Sequence, residues 1–321
     1  MEKIFFYEAF DEEVSALRQC LPKNSDAGFT WKTIQEQGDA RPPAALISIR
    51  TQSRVPGDWG KMLKGVLTRS QGYDHLAGFR RGSGEDVPCG FLDNYCARAV
   101  AEQAAMMMMA LLRKFKKQAA NFTTFSRNGI TGSECRGRRA LVAGVGHIGG
   151  EIADVVKGLR MEVKGFDIDP KVKDLSYVSL TEGAAWADVI FCALPLTEET
   201  RGMMGYHILK GGSAGKIFVN VSRGEISPVE DLKKLLDEGA LGGIALDVFP
   251  NEDELAGTLR AGAAVANAGA QAWLDLARKE NIVFTPHNAF NTSEALKKKA
   301  SLTVDAMDYF SARGTFPNPV P

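Results

Sequence analysis

The sequence is poor in cysteine and histidine, carries no net charge and has no long apolar run, and each shortage removes a class of function. Its five cysteines, Cys20, Cys89, Cys96, Cys135 and Cys192, are odd in number and form no C-x-x-C pair. That pattern excludes a disulfide framework and a thiolate metal site, and it suits a reducing, cytoplasmic compartment. The four histidines show no ligand spacing, so no metal is expected. Lys plus Arg and Asp plus Glu both number 39, which leaves no field to attract nucleic acid or an anionic membrane. The longest notable apolar run, residues 104–112, is far too short to cross a bilayer. The opening MEKIFFYEAFDEE soon turns acidic and lacks the basic start and cleavage site of a secretory leader. There is no internal repeat and no low-complexity tract. What remains is an ordinary globular balance, 45% hydrophobic and 24% charged over 321 residues, enough for about two domains.

The richest stretch is 140–169, ALVAGVGHIGGEIADVVKGLRMEVKGFDID. An apolar run is followed at once by Gly144-Val145-Gly146-His147-Ile148-Gly149, then a helical pattern to about Arg160, then a second apolar run ending on Asp167. Strand, glycine turn, helix, strand and acid in this order predict dinucleotide binding. Gly144 permits the tight turn, Gly146 lets the backbone approach a pyrophosphate, and Gly149 lets the helix sit close to the sheet. The helix N-terminus offers N–H groups and a partial positive charge to the phosphates. Asp167 is the candidate acceptor for the adenosine ribose diol, with Asp169 as its rival.

Around this fingerprint strands alternate with helices, which predicts parallel sheets. Residues 4–7, 44–49 and 65–68 read as strands of an N-terminal α/β unit, with short helices near 14–20 and 59–63. Residues 189–193, 216–221, 243–248 and 282–285 continue the alternation beyond the fingerprint. Residues 228–238 read as a helix with Pro at its start and Gly239 past its end. The stretch 97–120 has no Gly or Pro and predicts one long helix, closed by Arg113, Lys114, Lys116 and Lys117 at its negative end. Its run Met106-Met107-Met108-Met109 suits core packing, a binding surface or a subunit interface. The Ala/Gly-rich stretch 261–272 reads as a loose loop or a weak helix.

Ligands of an open parallel sheet sit beyond the carboxyl ends of its strands. Three such ends carry apt chemistry: Arg223 after VNVS, Glu252 shortly after ALDVFPN, and His287 after VFTP. Reduction of a 2-keto acid needs these parts. An arginine fits the substrate carboxylate bidentately. A histidine donates a proton as the carbonyl oxygen gains charge. A carboxylate beside that histidine favours its charged form and fixes the ring. Each taken singly is also an ordinary loop residue; the three together, downstream of a dinucleotide fingerprint, support one another.

The chain resembles the NAD-dependent D-isomer-specific 2-hydroxyacid dehydrogenases over nearly its full length. The resemblance is carried by GVGHIG (144–149), FDIDP (166–170), ALPLTEETRGMMG (193–205), VNVSRGE (219–225), GGIALDVFPNEDEL (242–255) and TPHNAF (285–290). It implies two doubly wound parallel-sheet domains: a flavodoxin-like substrate domain from residues 1–97 and 291–321, and a Rossmann-type NAD domain from 98–290. It implies Arg223 as the substrate arginine, His287 as the acid/base and Glu252 as its partner. It places Asp247 near the nicotinamide and extends the cofactor contacts to His147, Ile148, Pro195, Val221 and Ser222. It gives the loop Ser70-Gln71-Gly72 to the substrate carboxylate. Tyr95 and Phe290 match aromatics of the small pocket in D-lactate dehydrogenases, which favours pyruvate. His147 stands where the family often has arginine or lysine, and Ala193 where it often has histidine.

The expected function is NADH-dependent, reversible reduction of pyruvate to D-lactate. Glyoxylate, hydroxypyruvate or a branched keto acid is the alternative within the family. A dinucleotide-sensing binding protein, like the corepressors that share the fold, is the alternative outside it. The resemblance also implies a homodimer with the Met-rich helix at the interface.

Overall fold

The computed structural model describes residues 3–262 and 268–321. They fall into two compact units, Met1–Cys96 with Asn291–Pro321, and Ala97–Phe290.

The first unit is built on five parallel strands, β1 (Ile4–Phe6), β2 (Ala27–Phe29), β3 (Leu46–Ile49), β4 (Gly65–Thr68) and β5 (Cys89–Phe91), in the order β2-β1-β3-β4-β5. That is the doubly wound order of flavodoxin-like folds. The central strands LISI and GVLT are buried along their whole length. Parallel strands covered on both faces are therefore legible as unbroken apolar runs. Val66, Ile47 and Ile49 pack with Tyr7, Trp59 and Leu76 into one core. The last helix, Ser293–Arg313, starts at Thr292, whose hydroxyl accepts from the Ala295 N–H, and ends at Gly314 in the left-handed region.

The second unit carries seven parallel strands: β6 (Arg139–Ala143), β7 (Glu162–Phe166), β8 (Ser176–Tyr177), β9 (Val189–Cys192), β10 (Lys216–Asn220), β11 (Leu241–Leu246) and β12 (Ile282–Phe284). Their order is β12-β11-β10-β9-β6-β7-β8. Read from β8 inward, the first six follow the Rossmann pattern, with the chain reversing its direction of advance between β6 and β9. That switch point lies beside the glycine turn. The helix Leu180–Trp186 is started by a capping box between Ser179 and Glu182.

The single helix expected over 97–120 is two helices. Ala97–Leu112 stops, Lys114 adopts φ 51°, and Phe115–Asn121 follows. A left-handed lysine breaks the chain without a Gly or Pro to announce it. The basic residues do not all serve their own helix end. Lys116 Nζ donates to the carbonyls of Ala277, Lys279 and Ile282 and so closes the helix Ala268–Ala277 instead. Met107 and Met108 are fully buried, while Met106 and Met109 are exposed. Of the stretch 261–272, residues 263–267 lie outside the described residues; Ala268 onward is helical.

Candidate functional site

The glycine turn follows β6 directly. Gly144 has φ 86°, and a Cβ there would lie 2.7 Å from the Ala193 carbonyl group. Backbone angle and space both demand glycine at this position. A Cβ on Gly149 would lie 1.8 Å from the Gly144 carbonyl oxygen, so the helix His147–Gly158 packs against the turn itself. Gly146 is different: a Cβ there meets nothing within 4 Å, and the residue is exposed at the helix N-cap. Two glycines thus satisfy internal packing, and the third keeps an outward cradle clear for a bulky anion. His147 begins the helix and is exposed, Ile148 is half-buried, and Gly149 is buried.

Asp167 follows β7. Its carboxylate accepts from the Val145 N–H at 2.6 Å and from the Asp169 N–H at 2.9 Å, which joins it to the glycine turn. A carboxylate has about four lone-pair sites, so two backbone donors leave acceptor capacity for a diol. The rival Asp169 is paired with Lys171 at 2.8 Å on the surface. The residues expected on the remaining cofactor wall are at strand ends. Pro195 is exposed, and its carbonyl accepts from the Thr200 hydroxyl at 2.6 Å. Val221 and Ser222 are buried just beyond β10.

The turn after β10 is organised by a residue that sequence reading passed over. Asn220 is fully buried. Its Nδ2 donates to the Arg223 carbonyl and to Ser227 Oγ, both at 2.9 Å. Its Oδ1 accepts from the Ser222 N–H at 2.9 Å and the Ser222 hydroxyl at 2.7 Å. One amide therefore holds both flanks of Arg223. A polar residue closing the apolar run KIFVN was the available signal. The next residue, Gly224, packs on the chain after β11: a Cβ there would lie 2.0 Å from the Phe249 carbonyl carbon. The Asn251 N–H then donates to Glu225 Oε1 at 3.3 Å. The Arg223 turn and the start of the helix Glu252–Arg260 are in this way neighbours.

Glu252 opens that helix after Asn251, which has φ 49°. Glu252 Oε1 lies 2.7 Å from His287 Nδ1, and both side chains are less than a fifth exposed. His287 itself has φ 50°, a conformation uncommon for a side-chain-bearing residue. Its backbone N–H donates to the carbonyls of Asp247 and Thr285. The fully buried Asp247 holds this turn from below. Its carboxylate accepts from the Thr285 hydroxyl, from the Asn288 N–H at 2.8 Å and from the Ala289 N–H at 2.9 Å. Burial raises the Asp247 carboxyl, opposed by the His287 charge and by these hydrogen bonds. Asp247, expected near the nicotinamide, has both its oxygens engaged by the turn that presents His287. The ends of β10, β11 and β12 thus set the Arg223 turn beside the start of the Glu252 helix and pair Glu252 with His287. Phe290 is buried with its ring 6.5 Å from that of His287.

The other unit holds Ser70, Gln71, Gly72 and Tyr95. Ser70 Oγ donates to the Gly72 carbonyl at 2.7 Å and lies 2.6 Å from Thr68 Oγ1, which in turn lies 2.9 Å from His75 Nε2. Beneath the loop, Arg69 is fully buried. It donates to Glu13 Oε1 at 2.9 Å, Ser48 Oγ at 3.0 Å and the Tyr7 carbonyl at 2.7 Å. Lys299 reaches the same Glu13 oxygen at 2.7 Å. Burial favours the neutral Glu13 carboxyl, but the charges of Arg69, Lys299 and Arg50 outweigh it and bring it down to about 2. For Lys299 burial dominates: it is held down to about 7 in spite of Glu13. Tyr95 is buried, 5.9 Å from the Lys299 amine, and burial raises its phenol.

Residues 105–289 match the family model described as D-isomer specific 2-hydroxyacid dehydrogenase, NAD binding domain. The chain is 30% identical over 230 residues to the D-lactate dehydrogenase of Escherichia coli K12, covering 70% of this chain and 69% of that one. It is 29% identical over 253 residues to the D-specific alpha-keto acid dehydrogenase of Enterococcus faecalis V583, covering 75% and 74%. Among solved structures, the D-lactate dehydrogenase of Aquifex aeolicus, complexed with NAD and lactic acid, matches with a TM-score of 0.83 at 24% identity, over 98% of this chain and 99% of that one.

Proposed function

Since the chain belongs to the D-isomer-specific 2-hydroxyacid dehydrogenases, NAD-dependent oxidoreductases, we propose that it reduces a small 2-keto acid, pyruvate foremost, to the D-2-hydroxy acid, and catalyses the reverse oxidation. The observation that carries this reading is the Glu252–His287 pair at 2.7 Å, set beside the Arg223 turn.

The glycine turn fits the cofactor the family implies: the open face at Gly146 and the helix behind it suit a pyrophosphate, and Asp167 suits the ribose diol. When bound, NADH supplies the hydride. The chain's residues do the rest. The Arg223 guanidinium holds the substrate carboxylate bidentately and lends positive charge to the neighbouring carbonyl oxygen. Because Glu252 occupies His287 Nδ1, Nε2 is the ring nitrogen left for the substrate, and it gives its proton to that oxygen as the keto carbon is reduced. Glu252 keeps the ring from turning and balances its charge while the proton is on it. In the oxidation His287 Nε2 takes the hydroxyl proton back. The resemblance gives the loop 70–72, through its backbone N–H groups, to the substrate carboxylate, and gives the aromatics Tyr95 and Phe290, each buried in its own unit, to a side chain near a methyl group in size. The enzyme acts in the cytoplasm as a homodimer, with the exposed Met106 and Met109 in the interface.

Steady-state kinetics of the purified protein with NADH and a panel of pyruvate, glyoxylate, hydroxypyruvate, 2-oxobutyrate and branched keto acids test this. Pyruvate is expected to give the highest kcat/KM. A larger value for a branched acid overturns the pocket assignment. Turnover below about 1 per second on every acid, against the ordinary enzyme range of roughly 1–10³, overturns the catalytic reading in favour of a dinucleotide-sensing protein.

A further inference from the structure

We propose that His75 is a positioning residue for the substrate loop, the source of a one-way hydrogen-bond relay that sets the direction of the Gly72 peptide. The inference deepens the reading of loop 70–72 as the carboxylate-binding loop and rests on it.

The direction of the relay follows from counting protons. The Gly72 carbonyl can only accept, so at 2.7 Å the Ser70 hydroxyl must donate to it. A hydroxyl has one proton. With that proton committed, Ser70 Oγ must act as acceptor toward Thr68, so the Thr68 hydroxyl donates across the 2.6 Å contact. Thr68 Oγ1 has then given its own proton, and the 2.9 Å contact with His75 Nε2 closes only if the ring nitrogen donates. The sequence is Nε2–H to Thr68, Thr68 O–H to Ser70, Ser70 O–H to the Gly72 carbonyl. The carbonyl end thereby assigns the His75 ring a proton on Nε2.

The relay is buried at its centre, where each bond is most needed: Thr68 has no exposed surface and Ser70 has 7%. The backbone beside it is fixed as well. The Arg69 N–H donates to the Ile49 carbonyl, and the Ser70 carbonyl accepts from Leu92. His75 occupies the N-cap of the helix Leu76–Gly82, yet its side chain makes no capping bond to that helix. A residue at an N-cap ordinarily serves its own helix; this one is turned to the loop. The consequence lies in peptide geometry. In a trans peptide the C=O and the next N–H point in opposite directions. With the Gly72 carbonyl held by Ser70, the Tyr73 N–H of the same peptide points the other way, and the end of the loop is fixed in one orientation.

The test uses the full-length enzyme with NADH. His75→Leu and Thr68→Val each break the relay and should raise KM for pyruvate by about tenfold, the worth of one hydrogen bond, with kcat moving less than KM and KM for NADH unmoved. The double variant should be no worse than either single one, since both cut the same chain. His75→Gln carries an N–H where Nε2 stood and should restore KM. Ring ¹⁵N shifts of His75 in the NAD-bound enzyme should show the proton on Nε2; a neutral ring protonated on Nδ1 overturns the relay even if Thr68→Val fails to fold. Gln71→Pro, which removes a loop N–H, separates the two readings. If it raises KM while the relay variants do not, the relay is wrong and the loop reading stands. If none of them moves KM, the loop reading falls and takes the relay with it.

Discussion

A Cβ placed on Gly224 would sit 2.0 Å from the carbonyl carbon of Phe249, so the turn that carries Arg223 and the segment that leads to Glu252 touch backbone to backbone. Nothing larger than hydrogen fits between them. Gly224→Ala must push the two segments apart, because the obstacle is main chain and not the end of a flexible side chain. The expected cost is about 1–3 kcal/mol of stability, as for other overpacked sites, and a larger proportional loss of kcat/KM, because Arg223 and His287 lose their common frame. Urea unfolding together with kinetics checks this. A variant as active and as stable as the parent shows that the contact does not organise the site.

Glu252 and His287 give the second prediction. Glu252→Ala removes the acceptor on Nδ1 and frees the ring to rotate. Pyruvate reduction should then fall by about 10²-fold or more in kcat, the usual range for a disabled general acid. Glu252→Gln keeps an oxygen that can accept Nδ1–H but loses the charge, so it should fall between parent and Ala. Both variants should bind NADH with near-parental affinity by fluorescence titration. An Ala variant with full turnover refutes the pairing.

What was legible in the sequence depended on whether the information was local. Gly144, Gly149 and Asp167 are constrained by a turn, a helix and a strand end that are close in the chain; the two glycines take the tight turn and the close packing their spacing suggested, and Asp167 closes the second strand and bonds to the glycine turn. Central parallel strands were legible because burial on both faces leaves an unbroken apolar run. The edge strands Ala27–Phe29, Cys89–Phe91 and Ser176–Tyr177 are two or three residues long, too short to show a period. The left-handed Lys114 that splits the helix has no local signature. Asn220 was unread because its work lies in a turn whose shape only the fold reveals. The group of Glu13, Arg69 and Lys299 joins residues from three distant parts of the chain, and nothing in spacing could have assembled it.

Asp167 supplies the third prediction. A carboxylate at the ribose accepts from two hydroxyls but repels a 2′-phosphate. NADH should therefore exceed NADPH in kcat/KM by at least about tenfold, equivalent to ~1.4 kcal/mol. Asp167→Asn should narrow that gap. It keeps one acceptor for the two N–H groups of Val145 and Asp169, so the turn is weakened less than in Asp167→Ala. Equal use of both cofactors by the parent enzyme shows that Asp167 is not at the ribose.

The buried cluster under the substrate loop gives the last prediction, a dependence of stability on pH. Lys299 is held down to about 7 in the folded protein, chiefly by burial, while an unfolded lysine stays protonated to its ordinary 10.5. Between these values the unfolded chain binds more protons than the folded one, so stability rises with pH there. Below that window the folded protein carries a buried ammonium, with Glu13 at 2.7 Å offsetting part of the cost. Glu13 has the opposite history: its carboxyl is depressed to about 2 from 4.5, and its contribution is present above 4.5 and lost as the pH falls toward 2. The two windows do not overlap. Lys299→Met, similar in length and apolar, abolishes the upper one and narrows the lower one, because it takes away one of the charges that hold Glu13 down. The unfolding free energy of the parent minus that of the variant should climb from about pH 6.5 to about 8.5, below the range in which the Cys89 and Cys96 thiols, pushed up to about 11 by burial, come into play. Urea midpoints at several pH values measure that difference. A flat line means that Lys299 keeps its proton throughout, and that the attraction of Glu13 outweighs the burial of the amine.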